Sequence, residues 1–89
     1  MSIFSENIRL LRDRQNLTQQ KIADDLKITR GRYVKYEDGS SEPPLDLLLK
    51  IAKYFNVSID ILLSVDIRKY PLEQMVKISE NKILVPVAV

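Results

Sequence analysis

The 89-residue chain contains no cysteine, no histidine and no tryptophan, and only two glycines. Without cysteine it can form neither a disulfide framework nor a thiolate metal site. Without histidine it lacks the commonest general base and the usual zinc ligand, which excludes a Ser-His-Asp triad. No pair of carboxylates accompanies a glycine-rich motif. We therefore expect no enzyme, no catalytic residues, no metal site and no cofactor.

Long hydrophobic runs are also missing. No apolar stretch reaches the ~18 residues that a membrane-spanning helix requires. The opening residues, MSIFSENIRLL, lack the basic leader and apolar core of a signal peptide. The apolar fraction of 45% and the charged fraction of 29% are ordinary for a globular domain. These features predict one small cytoplasmic domain with no membrane partner.

Positive charge is concentrated in one short segment, although the net charge is only +2. Residues 27–36 carry four bases and no acid, whereas residues 37–46 carry four acids and no base. The four bases are Lys27, Arg30, Arg32 and Lys35. Such a segment on a nearly neutral chain favours a single anionic target surface. The alternative is a solvated helix face, because most runs of like charge contact only water.

Apolar residues recur at helical spacing in five segments, with no strand pattern between them. Either Ser5 or Ser2 is a suitable N-cap for the first helix, and Pro44 suits the first turn of the fourth. The N-caps of the second, third and fifth helices are Thr18, Thr29 and Ser58. Gly39 and Asn56 end the third and fourth helices. The pattern predicts an all-α fold, a compact five-helix bundle over residues 1–65.

Only Lys27 and Ile28 separate the second helix from the cap of the third. So short a link forces the two helices to pack at a steep angle, as in a helix-turn-helix unit. On the third helix, 100° per residue turns three side chains toward the core: Tyr33, Tyr36 and Glu37. Its outward face then consists of Arg30, Gly31, Val34 and Lys35.

This outward face is small and basic, which suits close approach to a grooved polyanion. A DNA major groove admits one helix, and glycine lets the backbone lie deeper in it. Glycine weakens a helix interior by ~1 kcal/mol relative to alanine, so Gly31 would exchange helix stability for proximity. Taken alone, Gly31 is equally compatible with a neutral surface position in the first turn.

The run from IRLLRDRQNLTQQKIADDL to LLKIAKYFNVSIDILL resembles the Cro/repressor-type helix-turn-helix domains of phage and bacterial regulators. The matching motifs are LTQQKIA, T-x-x-x-Y-x-x-Y-E in the third helix, and LLKIAKYFNVSIDILL. The resemblance covers residues 8–63. One departure is Lys27, where the family usually has glycine in the turn.

The resemblance implies a sequence-specific regulator of transcription that places its third helix in the major groove of double-stranded DNA. Base contacts are expected from Arg30, Gly31, Val34 and Lys35. Phosphate contacts are expected from Gln19, Thr29, Arg32, Ser40 and Ser41. Arg12 and Glu37 match a structural ion pair between the first and third helices. A repressor acting at a promoter is the leading interpretation.

The resemblance also implies a homodimer on a palindromic operator, because one such domain buries only ~600–1,000 Å² on DNA. Residues 66–89 are expected to form a linker followed by the apolar extended arm ILVPVAV. Pro86 restricts that arm to an edge strand or an extended segment. The arm either pairs with its copy or opens a C-terminal domain of the LexA-like type that this sequence does not include.

A protein-binding module is the alternative function, for example an antitoxin that neutralises a toxin through its tail. The two functions are compatible with one fold and differ in which surface dominates.

Overall fold

The computed structural model describes residues 2–69, which form five α-helices and one turn of 3₁₀-helix. The helices are α1 (Ile3–Arg14), α2 (Gln19–Leu26), α3 (Arg30–Asp38), α4 (Leu45–Phe55) and α5 (Ile59–Ser64), followed by the 3₁₀ turn Ile67–Lys69. This part of the chain contains no strand, and the all-α, five-helix prediction is confirmed. None of its helices is long and apolar enough to cross a bilayer. The expected arm falls within residues 70–89, outside the described residues.

The N-caps explain where the helices begin. α1 is capped by Ser2 rather than Ser5, and the two serines form a reciprocal capping box: each Oγ accepts from the other's amide, at 3.0 Å for Ser2 and 2.9 Å for Ser5. The other three expected serine and threonine caps are confirmed. Pro44 is the N-cap of α4, so it lies one residue before the first turn in which the sequence placed it.

The turn between α2 and α3 requires a left-handed residue, and Lys27 supplies it with φ of 61°. The amide of Ile28 then donates to the carbonyl of Ala23 at 3.0 Å, which closes the end of α2. A left-handed conformation costs an L-residue roughly 1–2 kcal/mol. Lysine in place of the family's glycine therefore adds backbone strain to the turn.

The core takes at least one fully buried side chain from every helix. Ile8, Ile22, Tyr33, Ile51 and Leu62 are each 0% exposed. α1 packs against α3, α5 and the 3₁₀ turn, while α2 packs against α3 and α4. The pair α2 and α3 is thus held by α1, which packs against α3, and by α4, which packs against α2.

Asn7 is a buried polar residue that joins α1 to the end of the domain. Its Nδ2 donates to the carbonyls of Leu62 (2.9 Å) and Val65 (2.7 Å), and its Oδ1 accepts from the amide of Ile67 (3.2 Å). Every one of these bonds is buried, so none can be replaced by water without opening the core. Asn7 thereby satisfies the last carbonyls of α5 and fixes Ile67 in the core.

Replacing Asn7 with alanine is expected to lower the free energy of unfolding by roughly 2–4 kcal/mol, because it leaves two carbonyls and one amide buried without partners. Urea denaturation followed by circular dichroism measures this loss. Arg9→Ala, an exposed change on the same helix, is the control and should stay within about 0.5 kcal/mol of the parent. An equally small effect of Asn7→Ala would contradict the assigned role.

Candidate nucleic-acid interface

The outward face of α3 is open to solvent. Arg30, Gly31 and Lys35 are exposed, and Val34 is half-buried. On the opposite face Tyr33 is 0% and Tyr36 2% exposed, which confirms the inward orientation expected for both tyrosines. Since the rings are in the core, they are not available to stack on bases.

Gly31 has no structural role within the described residues. A Cβ placed on it would meet no atom of the rest of the described domain within 4 Å. Its backbone also does not have a positive φ, unlike that of Gly39 (φ 81°). Neither space nor conformation therefore requires glycine at this position, and any requirement must come from a surface outside the domain.

Arg12 and Glu37 join α1 to α3 through a two-point ion pair. Arg12 Nε donates to Glu37 Oε2 at 2.6 Å, and an Nη of Arg12 donates to Oε1 at 3.1 Å. The remaining Nη of Arg12 donates to the carbonyl of Leu17 at 2.8 Å, just before α2. One guanidinium thus holds α1, the connection to α2, and α3 in a fixed relation.

The ion pair continues through Gln19 to the tip of α3. Gln19 Nε2 donates to Glu37 Oε1 at 3.1 Å, and Gln19 Oε1 accepts from Arg30 at 3.3 Å. The structure thus brings together four of the expected site residues in one hydrogen-bonded chain. Sequence patterns do not indicate the link between Gln19 and Arg30, because the two residues lie on different helices.

The environment of Glu37 lowers its pKa. Burial alone would raise that pKa, but the hydrogen bonds from Arg12 and Gln19 outweigh the burial. The nearby Tyr33 hydroxyl acts in the same direction, although it meets hydrogen-bond geometry with no described residue. Burial and the charge of Glu37 raise the pKa of Tyr33 in turn. Glu37 is consequently ionised at neutral pH even though its side chain is only 4% exposed.

Two of the expected phosphate contacts lie at the start of α3. The hydroxyl oxygen of Thr29 accepts from the amide of Arg32 at 3.1 Å, which leaves the hydroxyl proton available for donation outward. Arg32 Nε donates to the hydroxyl of Tyr36 at 2.8 Å. This bond lays the side chain of Arg32 along α3, and the residue as a whole is exposed.

The loop after α3 is bonded within the chain. The amides of Ser40 and Ser41 both donate to the carbonyl of Lys35, at 3.0 and 3.2 Å. The hydroxyl of Ser40 donates to Asp38 at 2.6 Å and its amide also donates to Asp38 at 2.9 Å, and these two bonds lower the pKa of Asp38. A phosphate contact by Ser40 would thus have to replace bonds that already exist, whereas no such bond is formed by the hydroxyl of Ser41 within the described residues.

A concave surface of about 550 Å³ lies between α1, the start of α2 and α3. Besides expected site residues, it is lined by Arg9, Thr18, Gln20 and Asp38. Arg9 is exposed and lies one turn before Arg12 on α1. Helical spacing from Arg12 could therefore have predicted its position from the sequence. Among residues 2–69 no group of three or more acidic side chains is arranged to hold a metal ion.

Residues 8–62 match the family model described as helix-turn-helix. The chain belongs to the Cro/repressor-type helix-turn-helix family. The matched region contains the capped α2, the left-handed turn at Lys27 and the basic outward face of α3.

Three similar proteins are regulators of transcription by name. The HTH-type transcriptional regulator YqaE of Bacillus subtilis is 48% identical over 61 residues, which cover 68% of this chain and 53% of YqaE. The transcriptional activator BcrR of Enterococcus faecalis is 41% identical over 68% of this chain and 30% of its own length. The CTXphi transcriptional repressor RstR of Vibrio cholerae is 36% identical over 70% of this chain and 56% of its own length. The matched region therefore spans about half the length of YqaE and RstR, and less of BcrR. No solved structure matches significantly.

The Arg12–Glu37 pair is expected to make stability depend on pH. The pKa of Glu37 is lower in the folded chain than its ordinary value of 4.5. The contribution of Glu37 to the free energy of unfolding is therefore complete above pH 4.5 and is lost as pH falls through the folded pKa. Glu37→Gln should remove this component, so the free energy of unfolding of the variant should fall less steeply below pH 4.5 than that of the parent. Urea titrations from neutral to acidic pH measure both slopes. Identical slopes would show that Glu37 has no pKa shift.

Proposed function

We propose that this chain is a sequence-specific regulator that binds double-stranded DNA as a dimer, with α3 in the major groove of each half of a palindromic operator. The observation that carries the proposal is the exposed basic face of α3, which includes a glycine that the domain itself does not require. Membership of a family whose named members regulate transcription supports the same conclusion.

Base recognition is assigned to the outward face of α3. Arg30 is suited to bidentate donation to guanine O6 and N7, and Lys35 to a single-point contact of the same kind. Val34 is placed to pack on a thymine methyl group. Gly31 lets the backbone of α3 come close to the base edges. The hydrogen bond that Arg30 donates to Gln19 limits the directions that the Arg30 side chain can take before DNA arrives.

Phosphate contacts are assigned to the two ends of α3 and to the start of α2. Thr29 and Arg32 offer donors at the N-terminal end of α3, and Ser41 offers a hydroxyl beyond its C-terminal end. Gln19 stands at the first turn of α2, where backbone amides also favour anions. Ser40 contributes only if it exchanges its bond to Asp38 for one to phosphate.

Repression is the proposed sign of regulation, through occlusion of a promoter. The similar region accounts for a larger share of the repressor RstR than of the activator BcrR, 56% against 30%. Occupancy of a promoter by a DNA-binding domain is sufficient to block access to DNA, whereas activation requires a further contact with the transcription machinery.

The decisive experiment is selection of a random duplex pool by the purified full chain, followed by sequencing. The expected result is a palindrome with half-sites about 10 base pairs apart, centre to centre. Retention of DNA without sequence enrichment would reject specific recognition. Placing the selected operator in a reporter promoter then tests repression, because an increase in transcription on expressing the chain would reverse the proposed sign.

Arg30→Ala should weaken binding to the selected operator by ~1–3 kcal/mol and relax the preference at one base pair of each half-site. Arg32→Ala should weaken all sequences about equally and reduce the dependence of binding on salt concentration. Lys53→Ala, which removes an exposed lysine of α4, is the control and should change neither property. Fluorescence anisotropy at several salt concentrations measures the DNA affinity of all three variants and its dependence on salt. If Arg30→Ala weakened binding to all DNA sequences equally, the assignment of Arg30 to a base contact would be wrong.

Gly31→Ala is expected to have opposite effects on folding and on DNA binding. Stability should rise by up to ~1 kcal/mol, because alanine is the better helix former and its Cβ meets nothing in the domain. Affinity for the operator should fall, because the Cβ would occupy space that α3 needs near the bases. On the same preparation, denaturation measures the change in stability and fluorescence anisotropy measures the change in operator affinity. Unchanged affinity would mean that Gly31 is a neutral surface residue.

A further inference from the structure

Three of the four exposed large hydrophobic residues within positions 2–69 border a single groove. They are Ile3, Leu45 and Leu63, which are 44%, 82% and 46% exposed. The groove measures about 400 Å³ and lies among the start of α1, the start of α4 and the end of α5. Among the described residues of its lining, Glu42 alone is charged. Exposed apolar side chains with so little charge around them have the composition found at the centre of protein interfaces.

The described part of the chain ends close to this groove. Asn7 accepts from the amide of Ile67 at 3.2 Å, which fixes the 3₁₀ turn against α1. In that turn, Arg68 Nη1 lies 3.5 Å from Glu6 Oε1. Glu6 follows Ile3 by one helical turn on α1. Residues 70–89 therefore begin beside the helix whose first turn borders the groove.

The sequence beyond this point contains one segment that matches the groove in chemistry. Residues 83–89, ILVPVAV, are the longest stretch of the chain without a polar or charged side chain. Residues 70–82, by contrast, include charged side chains of both signs. Pro86 has a fixed φ near −65° and no amide hydrogen. An extended segment that contains it therefore loses less conformational freedom on docking and has one amide fewer to satisfy.

The chain between the domain and this segment is long enough to reach the groove. The 13 residues between Lys69 and Ile83 span at most roughly 45 Å when extended. The longest dimension of the domain is 37 Å. A segment tethered this closely has an effective concentration of the order of millimolar at its own groove. The same segment of another molecule is present only at the concentration of the protein, so the contact within one chain is favoured in dilute solution.

We propose that residues 83–89 occupy the groove of their own chain, with their side chains packed on Ile3, Leu45 and Leu63. The apolar segment and the apolar groove then remove each other from water. One wall of the groove is the loop that follows α3. The arm therefore closes the apolar face that adjoins the end of α3, and its removal uncovers this face. The arm thus controls access to the groove, a role that goes beyond DNA binding and does not depend on it.

Because the chain has no cysteine, pairs of introduced cysteines test the contact in the full chain. Leu63→Cys combined with Val85→Cys should form a disulfide within one chain, at a rate that does not depend on protein concentration. Leu49→Cys combined with Val85→Cys is the matched control, because Leu49 is similarly exposed (44% against 46%) and does not line the groove. The control pair should close at least roughly 10-fold more slowly. Non-reducing electrophoresis and intact mass measure both rates, and equal rates would overturn the proposal.

A third variant separates docking from proximity, since Leu63 is nearer than Leu49 to position 85 along the chain. Adding Ile83→Ser and Leu84→Ser to the chain with cysteines at 63 and 85 keeps the tether and removes the apolar match. The disulfide should then form as slowly as in the control pair. An unchanged rate would mean that the two positions meet by chance collision, which would overturn the proposal. A covalent dimer that forms faster as the protein is concentrated would also overturn it, because the segment would then lie on a second copy.

Fluorescence of the dye ANS, which binds exposed apolar surface, provides a second readout without cross-linking. Ile83→Ser with Leu84→Ser should increase the dye fluorescence of the full chain, because the groove is uncovered. Adding Leu45→Glu should cancel the increase, and circular dichroism checks that the helices are retained. Equal fluorescence of the parent and the serine variant would show that the arm does not cover the groove. Neither test involves DNA, so their outcome is decided separately from that of the duplex selection.

Discussion

The two-point ion pair between Arg12 and Glu37 is the interaction on which the relative arrangement of α1, α2 and α3 depends. Moving a carboxylate and a guanidinium out of water is costly, and the cost is recovered only when nearly every polar atom has a partner. Here the three nitrogens of Arg12 bond to Glu37 and to the carbonyl of Leu17. Glu37 receives a further bond from Gln19. Because hydrogen bonds require defined directions, these bonds fix the orientation of α3 relative to α1 and also hold the two helices together.

The same chain of bonds extends from the interior to the surface. Gln19 joins the buried Glu37 to the exposed Arg30, so a residue proposed to read a base is connected to the core through side chains alone. A flexible arginine loses conformational freedom when it binds, and a side chain that is already restrained loses less. The buried pair and the exposed arginine therefore act as one unit in the proposed recognition.

The domain divides its surface by chemistry. Charged side chains gather between α1, α2 and α3, where Arg9 joins the residues expected from the sequence. Apolar side chains gather at the start of α4 and the end of α5, where Leu45 projects from the surface. The loop after α3 borders the apolar groove, and its Ser41 is also assigned to phosphate.

The sequence by itself determined the helices, three of their N-caps and the inward side of α3, because capping and helical periodicity involve residues within one or two turns of each other. Thr18, Thr29, Ser58 and Gly39 occupy the positions that their chemistry indicates. The resemblance to a known family paired Arg12 with Glu37, which the structure brings together. Tertiary structure alone decided what depends on distant segments: the bonds from Asn7 to the end of α5, the link from Gln19 to Arg30, and the groove around Leu45. Their partners lie far apart in the chain or on different helices, and no local pattern records which side chains meet once the helices have packed.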